Sequence, residues 1–180
     1  MAIFLLSGWS GSGKDAVGSI LGNYGFQRLA FADALKVQVA EELNIPLQWT
    51  HTQHGKRLVV RGKTVRDHLI QRGQEIRIEQ GDPGYFARKA CEEIKNGKHY
   101  VITDWRLFAE YTVIKEFCIS KNIILVTIRV VRTGQETSYV KDSLTEHELD
   151  GFTFDVTVRN TGASMSDLQE ELVMKLRGLI

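Results

Sequence analysis

Gly8-Trp9-Ser10-Gly11-Ser12-Gly13-Lys14-Asp15 follows the apolar run Ile3-Phe4-Leu5-Leu6 and precedes a segment whose apolar residues, Ala16, Val17, Ile20 and Leu21, recur with helical spacing. Strand, glycine-rich turn and helix in that order let backbone N–H groups and a helix N-terminus converge on phosphate oxygens. Gly8, Gly11 and Gly13 permit the turns and the close approach that a Cβ would block. Lys14 is then placed to reach the β- and γ-phosphates of a nucleotide. Gly8, Gly11, Ser12, Gly13, Lys14, Asp15 and Ala16 are therefore the candidate nucleotide-phosphate site. Asp15 stands where the general pattern has a Ser or Thr that ligates Mg²⁺. A carboxylate can hold that ion directly or through a water, and it would equally be favoured there by the helix dipole alone.

Outward from this loop the chain alternates short apolar runs with helical patterns. A second strand is expected over 28–31, then a helix opening at Asp33 and ending before Pro46. From Leu47 to Gly62 the periodicity fades, and a solvated loop is the expected structure; His51 and His54 lack further ligands at metal-binding spacing. Thr64 and Asp67 make a capping box for the next helix, which carries Arg66, Arg72 and Arg77. Another helix runs from Tyr85 to Lys95. A third strand, 100–103, leads into Asp104-Trp105-Arg106, at the strand edge where open α/β sheets place ligands. The β-branched run 123–131 reads as a central strand buried on both faces, with Arg129 and Arg132 at its end. A polar stretch from Thr133 to Gly151 contains Glu146; a last strand over 154–158 and a helix capped at Ser166 with Gln169 complete the chain. Five strands alternating with helices predict one domain over 1–180, an α/β/α three-layer fold with a five-stranded parallel sheet.

With 23 basic and 22 acidic residues in 180, no charge excess points to nucleic acid or a membrane surface as partner. Cys91 and Cys118 lack metal spacing and are expected to be reduced. No run has the length or flanks of a signal peptide or a membrane span. A soluble, cytoplasmic protein is the expectation.

Phosphoryl transfer gives the cations at the strand ends a use, because its transition state spreads negative charge over the moving group. Lys14, Arg129 and Arg132 would act on the donor side and the transferred group. Arg66, Arg72 and Arg106 would hold an acceptor's phosphate. Asp15, Asp33 and Asp104 are candidates for Mg²⁺ or acceptor contacts. Lys36 and Glu75 read equally well as surface residues, and Trp105 either packs or flanks a base.

The assembled motifs resemble the bacteriophage-type deoxynucleoside monophosphate kinases, P-loop enzymes related to adenylate kinase. Ser12-Gly13-Lys14-Asp15 is similar to that family's S-G-K-D, and Phe31-Ala32-Asp33-Ala34-Leu35-Lys36 to its F-A-D-x-L-K. Thr64, Arg66, Leu69, Gly73 and Glu75 match its T-x-R-x-x-L-x-x-x-G-x-E stretch. Asp104, Arg106 and Glu110 match D-x-R-F-x-N-E, Glu146 a Ser-Glu element, and Asn160 with Gly162 an N-x-G before the last helix. The chain departs at Ile70, Gln74, Leu107, Ala109 and Thr145. These departures bear on the acceptor pocket more than on the donor site.

The resemblance implies transfer of the γ-phosphate of ATP to a deoxynucleoside monophosphate with Mg²⁺, for which Asp15 and Asp104 are the candidate ligands in this sequence. It implies an acceptor region over about 32–80 and a lid over about 132–151; the candidate acceptor-binding residues are Asp33, Lys36, Arg66, Arg72 and Glu75 within that region and Asp104, Trp105 and Arg106 beyond it. Asn160 and Gly162 would border the adenine of ATP. It also implies the cytoplasm as location, that of the host for a phage protein. A homodimer is compatible with the residues but not legible in them. Animal-type phosphomevalonate kinases share the S-G-K-D loop, and dephospho-coenzyme A kinase is a further P-loop relative. A nucleotide-binding module without transfer is the alternative outside the enzymes.

Overall fold

The structure, a computed structural model, describes residues 1–134 and 148–180. Its sheet is built from β1 (Ala2–Ser7), β2 (Phe26–Leu29), β5 (His99–Ile102), β6 (Ile124–Arg132) and β7 (Val156–Asn160). All pairs are parallel, in the order β2-β5-β1-β6-β7. β1 is buried along its whole length, as a strand covered on both faces must be.

The two faces of β1 enter two different cores. Phe4 and Leu6 pack with Val17, Ile20 and Leu21 of α1 (Lys14–Asn23) and with Leu168, Leu172 and Leu176 at α8 (Met165–Lys175). Ile3 and Leu5 face the opposite way. They share a core with α2 (Asp33–Leu43), α5 (Val65–Glu79), α6 (Tyr85–Glu93) and α7 (Phe108–Lys121). The chain leaves β1 toward one face but leaves β2 and β5 toward the other. The C-terminal edge beside β1 is thus the kind of switch point where α/β sheets bind ligands.

Four local expectations are corrected by the structure. The second strand lies at 26–29, because the N–H groups of Phe31 and Ala32 leave the ladder to bond the Asp104 carboxylate at 2.8 and 3.0 Å. The last strand lies at 156–160. Asp155, just before it, is drawn onto Thr127, whose N–H and Oγ1 both donate to its Oδ2. Ser164 rather than Ser166 caps α8, accepting from the Asp167 N–H at 3.0 Å. The stretch 47–62 is not a loop. It forms α3 (Gln48–His51), α4 (Gln53–Arg57) and a hairpin of β3 (Val59–Val60) and β4 (Lys63–Thr64).

The capping box at Thr64 and Asp67 is present, with each side chain bonded to the other residue's N–H. Its hydrogen bonds to Thr64 hold the Asp67 carboxyl below the usual carboxylate range. Cys91 and Cys118 are free thiols, pushed by burial up to about 11 and about 12. No helix among the described residues is long and apolar enough to cross a membrane. Glu146 and most of the expected lid fall outside the described residues.

If the α8 face of the sheet contributes to stability as this packing implies, Leu172→Ala should cost about 2–5 kcal/mol, since Leu172 is fully buried. Met174→Ala, on the exposed side of the same helix, should stay within about 0.5 kcal/mol. Urea denaturation of the two variants checks the contrast.

Candidate active site

Register places the donor-side residues before any side chain is considered. Ser7, the last residue of β1, pairs with Arg129, and three residues further along β6 Arg132 pairs with Asn160 of β7. The glycine-rich loop therefore emerges between two strands that each deliver a polar side chain at its level. Gly13, the N-cap of α1, has φ +105°, and a Cβ there would lie 2.4 Å from Asn160 Nδ2. Asn160 uses that closeness. Its Nδ2 donates to the Ser12 carbonyl at 3.0 Å, and its Oδ1 accepts from the Gly162 N–H at 2.9 Å. The turn at 160–162 and the loop are thereby one unit.

Lys14 Nζ lies 2.6 Å from the Gly8 carbonyl and 2.9 Å from that of Trp9, so the ammonium is folded over the loop it follows. An Arg132 guanidinium N–H donates to the Gly11 carbonyl at 3.4 Å. Ser12 Oγ is buried without a hydrogen-bond partner among the described residues. Ala16 packs against the core below, and Asp15 is exposed at the first turn of α1.

Arg129 is held differently from Arg132. Its guanidinium donates to Ser7 Oγ at 3.1 Å and to Asp150 at 2.9 Å, and it lies 5.8 Å from the Trp9 ring and 5.5 Å from that of Phe154. In this conformation it ties the end of β1 to the 148–154 segment.

The acceptor-side expectations divide. Asp33 accepts from Lys36 at 2.6 Å and from Arg28 at 3.3 Å. Arg66 donates to Gln53 of α4 at 2.9 Å. Lys36, Arg66 and Arg106 all bear electrostatically on one further side chain, Lys56 of α4, as does Asp15 with the opposite sign. The Arg66 bond to Gln53, the first residue of α4, brings α5 beside the short helix that carries Lys56. Arg72 and Glu75 do not join them. Arg72 contacts Glu42, Glu75 and Glu79 within 3.5 Å, a surface network that fastens α5 to α2. Trp105 is in the core, 1% exposed, with its indole N–H donated to the Leu107 carbonyl and its ring stacked on Tyr111. Asp104 lies at the strand end as expected, with both oxygens engaged by the backbone of Phe31 and Ala32.

No protein-family model matches the chain, and no curated protein matches it in sequence. Solved structures do. Dephospho-CoA kinase from Campylobacter jejuni is similar at a TM-score of 0.50 and 16% identity, covering 96% of this chain and 94% of that one. TT1252 from Thermus thermophilus is similar at 0.50 and 17%, with the same coverage. The fold, a five-stranded parallel sheet between helices, is shared with these structures. At such identities the likeness concerns the arrangement of strands and helices, with the glycine-rich loop at its centre.

Two further residues, Lys56 and Glu110, were not assigned a role from the sequence. Lys56 sits in a segment whose helices are too short for a 3.6-residue period to repeat, so nothing marked it apart from its neighbours. Glu110, 2% exposed, is matched by the resemblance but reads simply as a polar residue in a helix. Its Oε2 accepts from the N–H groups of Arg106 and Leu107, both at 3.0 Å, and its Oε1 from Arg77 at 3.2 Å. It thus fixes the backbone turn that carries Arg106. Burial pushes its carboxyl up to about 7, against the pull of those two N–H groups and the Arg77 charge.

The folded-state pKa is above the unfolded value, so between about pH 4.5 and about 7 the native state binds the extra proton. Stability contributed by Glu110 should then fall as pH rises through that window and stay flat above it. Urea midpoints from pH 4.5 to 8 for the wild type and Glu110→Gln should differ with that slope. Parallel curves would show that Glu110 is ionised across the whole range.

Proposed function

We propose that this chain is an ATP-dependent kinase that transfers a γ-phosphate to the phosphate of a deoxynucleoside monophosphate. What supports the reading is a glycine-rich loop with Lys14 folded over it, together with the cations Lys36, Lys56, Arg66 and Arg106 on the helices that follow β2 and the turn that follows β5. A site for one nucleotide alone has no need of the second group. An acceptor that itself bears a phosphate does.

The step balances without a general base. An ionised oxygen of the acceptor phosphate attacks the γ-phosphorus while the bond to the β–γ bridging oxygen breaks, giving a diphosphate and ADP. The second pKa of a phosphomonoester is near 6, so that oxygen carries no proton at neutral pH. Cations and alignment supply the catalysis. Lys14 and Arg132 stand beside the loop for the donor phosphates, and Arg106 and Arg66 face the acceptor. Arg129 supports the loop from behind through Ser7 and Trp9. Asn160 and Gly162 form the turn that would border the adenine.

Mg²⁺ fits the residues present. Among the described residues no three His, Cys, Asp or Glu side chains cluster, which suits an ion carried mainly by nucleotide phosphates and water. Asp15 offers the exposed hard oxygen at the loop, and Asp104 is engaged elsewhere. Bound there, the ion would neutralise charge on the transferring group. The deoxynucleotide acceptor rests on the sequence likeness around Phe31–Lys36 and Thr64–Arg66.

ADP release from Mg-ATP, measured in a coupled assay with each deoxy- and ribonucleoside monophosphate and with phosphomevalonate, tests the reading. Turnover with a deoxynucleotide is expected; ATP binding without turnover on any acceptor would instead identify a non-catalytic nucleotide module. Lys14→Met should lower kcat/KM on the order of 10²–10³-fold while leaving the urea midpoint unchanged. Arg106→Ala should raise the acceptor KM more than the ATP KM.

A further inference from the structure

Residues 148–155 lie outside helix and strand, yet side chains fasten them along their whole length. Glu148 Oε1 accepts the Phe108 N–H, the first of α7, at 2.6 Å. Leu149 is buried in the core shared with α2, α5, α6 and α7. The Phe152 N–H is donated to the Leu149 carbonyl at 3.1 Å, and the rings of Phe152 and Phe154 have their centres 5.0 and 5.5 Å from that of Trp105. Asp155 is closed onto Thr127 by hydrogen bonds of 2.7, 2.8 and 3.0 Å. A segment with no backbone ladder of its own holds one shape only where contacts of this kind replace it.

Asp150 stands between these anchors, and its Oδ1 accepts from one nitrogen of the Arg129 guanidinium at 2.9 Å. Another nitrogen of the same fork donates to Oγ of Ser7, the buried last residue of β1, at 3.1 Å. The Arg129 side chain is 13% exposed, and its guanidinium carbon lies 5.8 Å from the Trp9 ring centre and 5.5 Å from that of Phe154, within the range at which a cation is drawn to a ring face. A planar fork bonds in two directions at once while its faces meet rings, which an ammonium cannot do. Ser7 and Trp9 bracket Gly8, and Lys14 closes over the carbonyls of Gly8 and Trp9. Glu148, Asp150 and Arg129 thus join the start of α7 to the glycine-rich loop by contacts that are each within hydrogen-bond or ring-contact distance.

We infer that residues 148–155 are a strap in which Asp150 is a positioning residue: through Arg129 it sets where the glycine-rich loop lies relative to the turn that opens α7. Arg129 then acts on the geometry of the loop and not on the transferred group. The identity of what the loop holds, ATP, rests on the kinase reading; the strap does not. A small misplacement of a bound phosphate costs rate steeply. Contacts that tie Ser7 and Trp9 to Phe108, two residues after Arg106, therefore have a use in a reaction between groups held at the two places.

The chain's three tryptophans give a readout that needs no nucleotide. In ¹⁵N-tryptophan-labelled protein the indole N–H signal of Trp9, identified by its loss in Trp9→Phe, should move in Asp150→Asn and in Glu148→Ala, while that of Trp49 on α3 stays in place. Because Asp150 acts through Arg129, the double variant Asp150→Asn with Arg129→Met should move Trp9 no further than Arg129→Met alone. A Trp9 signal unmoved by either single strap variant, or additive shifts in the double variant, would overturn the inference. The ATP Kd from equilibrium dialysis should rise about 3–30-fold in Asp150→Asn, the range of coupling between residues in one network, with the urea midpoint unchanged. A lowered midpoint with an unchanged Kd would reduce Asp150 to a structural contact and overturn its positioning role. If ATP binding and Trp9 respond in this way but no acceptor is turned over, the kinase reading falls and the strap stands. If turnover is normal and Trp9 ignores Asp150, the kinase reading stands and the strap falls.

Discussion

The Asp104 carboxylate is the contact on which the arrangement of the site depends. Its two oxygens accept the N–H groups of Phe31 and Ala32, so the end of β5 and the entrance to α2 are fixed to each other across 72 and 73 residues of sequence. Buried backbone donors need partners, and here one side chain satisfies two of them where β2 gives way to helix. The consequence is positional. Asp33 and Lys36 follow directly on one side, and Arg106, on a turn secured by Glu110, follows on the other.

What is assembled around that junction is electrostatically uneven by construction. Lys36 is paired with Asp33 at 2.6 Å, and Arg66 has the neutral Gln53 as its partner. On the outer side of α5 the same chain does the opposite, surrounding Arg72 with Glu42, Glu75 and Glu79. A protein that neutralises an arginine threefold on its surface and leaves a half-buried lysine among cations is using charge in two ways. The first fastens helices together. In the proposed kinase, the second would favour the acceptor's phosphate.

Much of this was legible in the residues, and the failures have physical causes. The loop, the five strands and the Thr64 capping box declare themselves locally, because glycine spacing, β-branched runs and caps act over a few residues. Strand ends do not. β2 stops where a distant carboxylate captures its next N–H groups, and β7 starts where Thr127 releases Asp155. The helices of 48–57 are too short to display a period, and their stability lies in the Gly55–Trp49 contact. Arg72 and Arg66 look alike as residues on one helix. Arg72 meets Glu75 and Glu79 of its own helix and Glu42 of α2, whereas Arg66, nearer the start of α5, faces α4. Trp105 carries the same ambiguity, settled by Tyr111, Phe152 and Phe154 closing around it.

The donor and acceptor halves of the site are held to the sheet by different means, and this separates what the fold determines from what it leaves open. The loop, Asn160 and Arg132 are placed by strand register, through β1, β6 and β7, and any chain with this sheet must place its corresponding residues there. Lys36, Lys56 and Arg66 lie instead on helices inserted between β2 and β5, attached by one carboxylate and a shared apolar core. Side chains on such an insertion can change without disturbing β1 or its loop. The choice of the proposed acceptor would therefore belong to residues 33–93 and the turn carrying Arg106 rather than to the sheet, which is why structures with this sheet and 16–17% identity speak to the architecture alone.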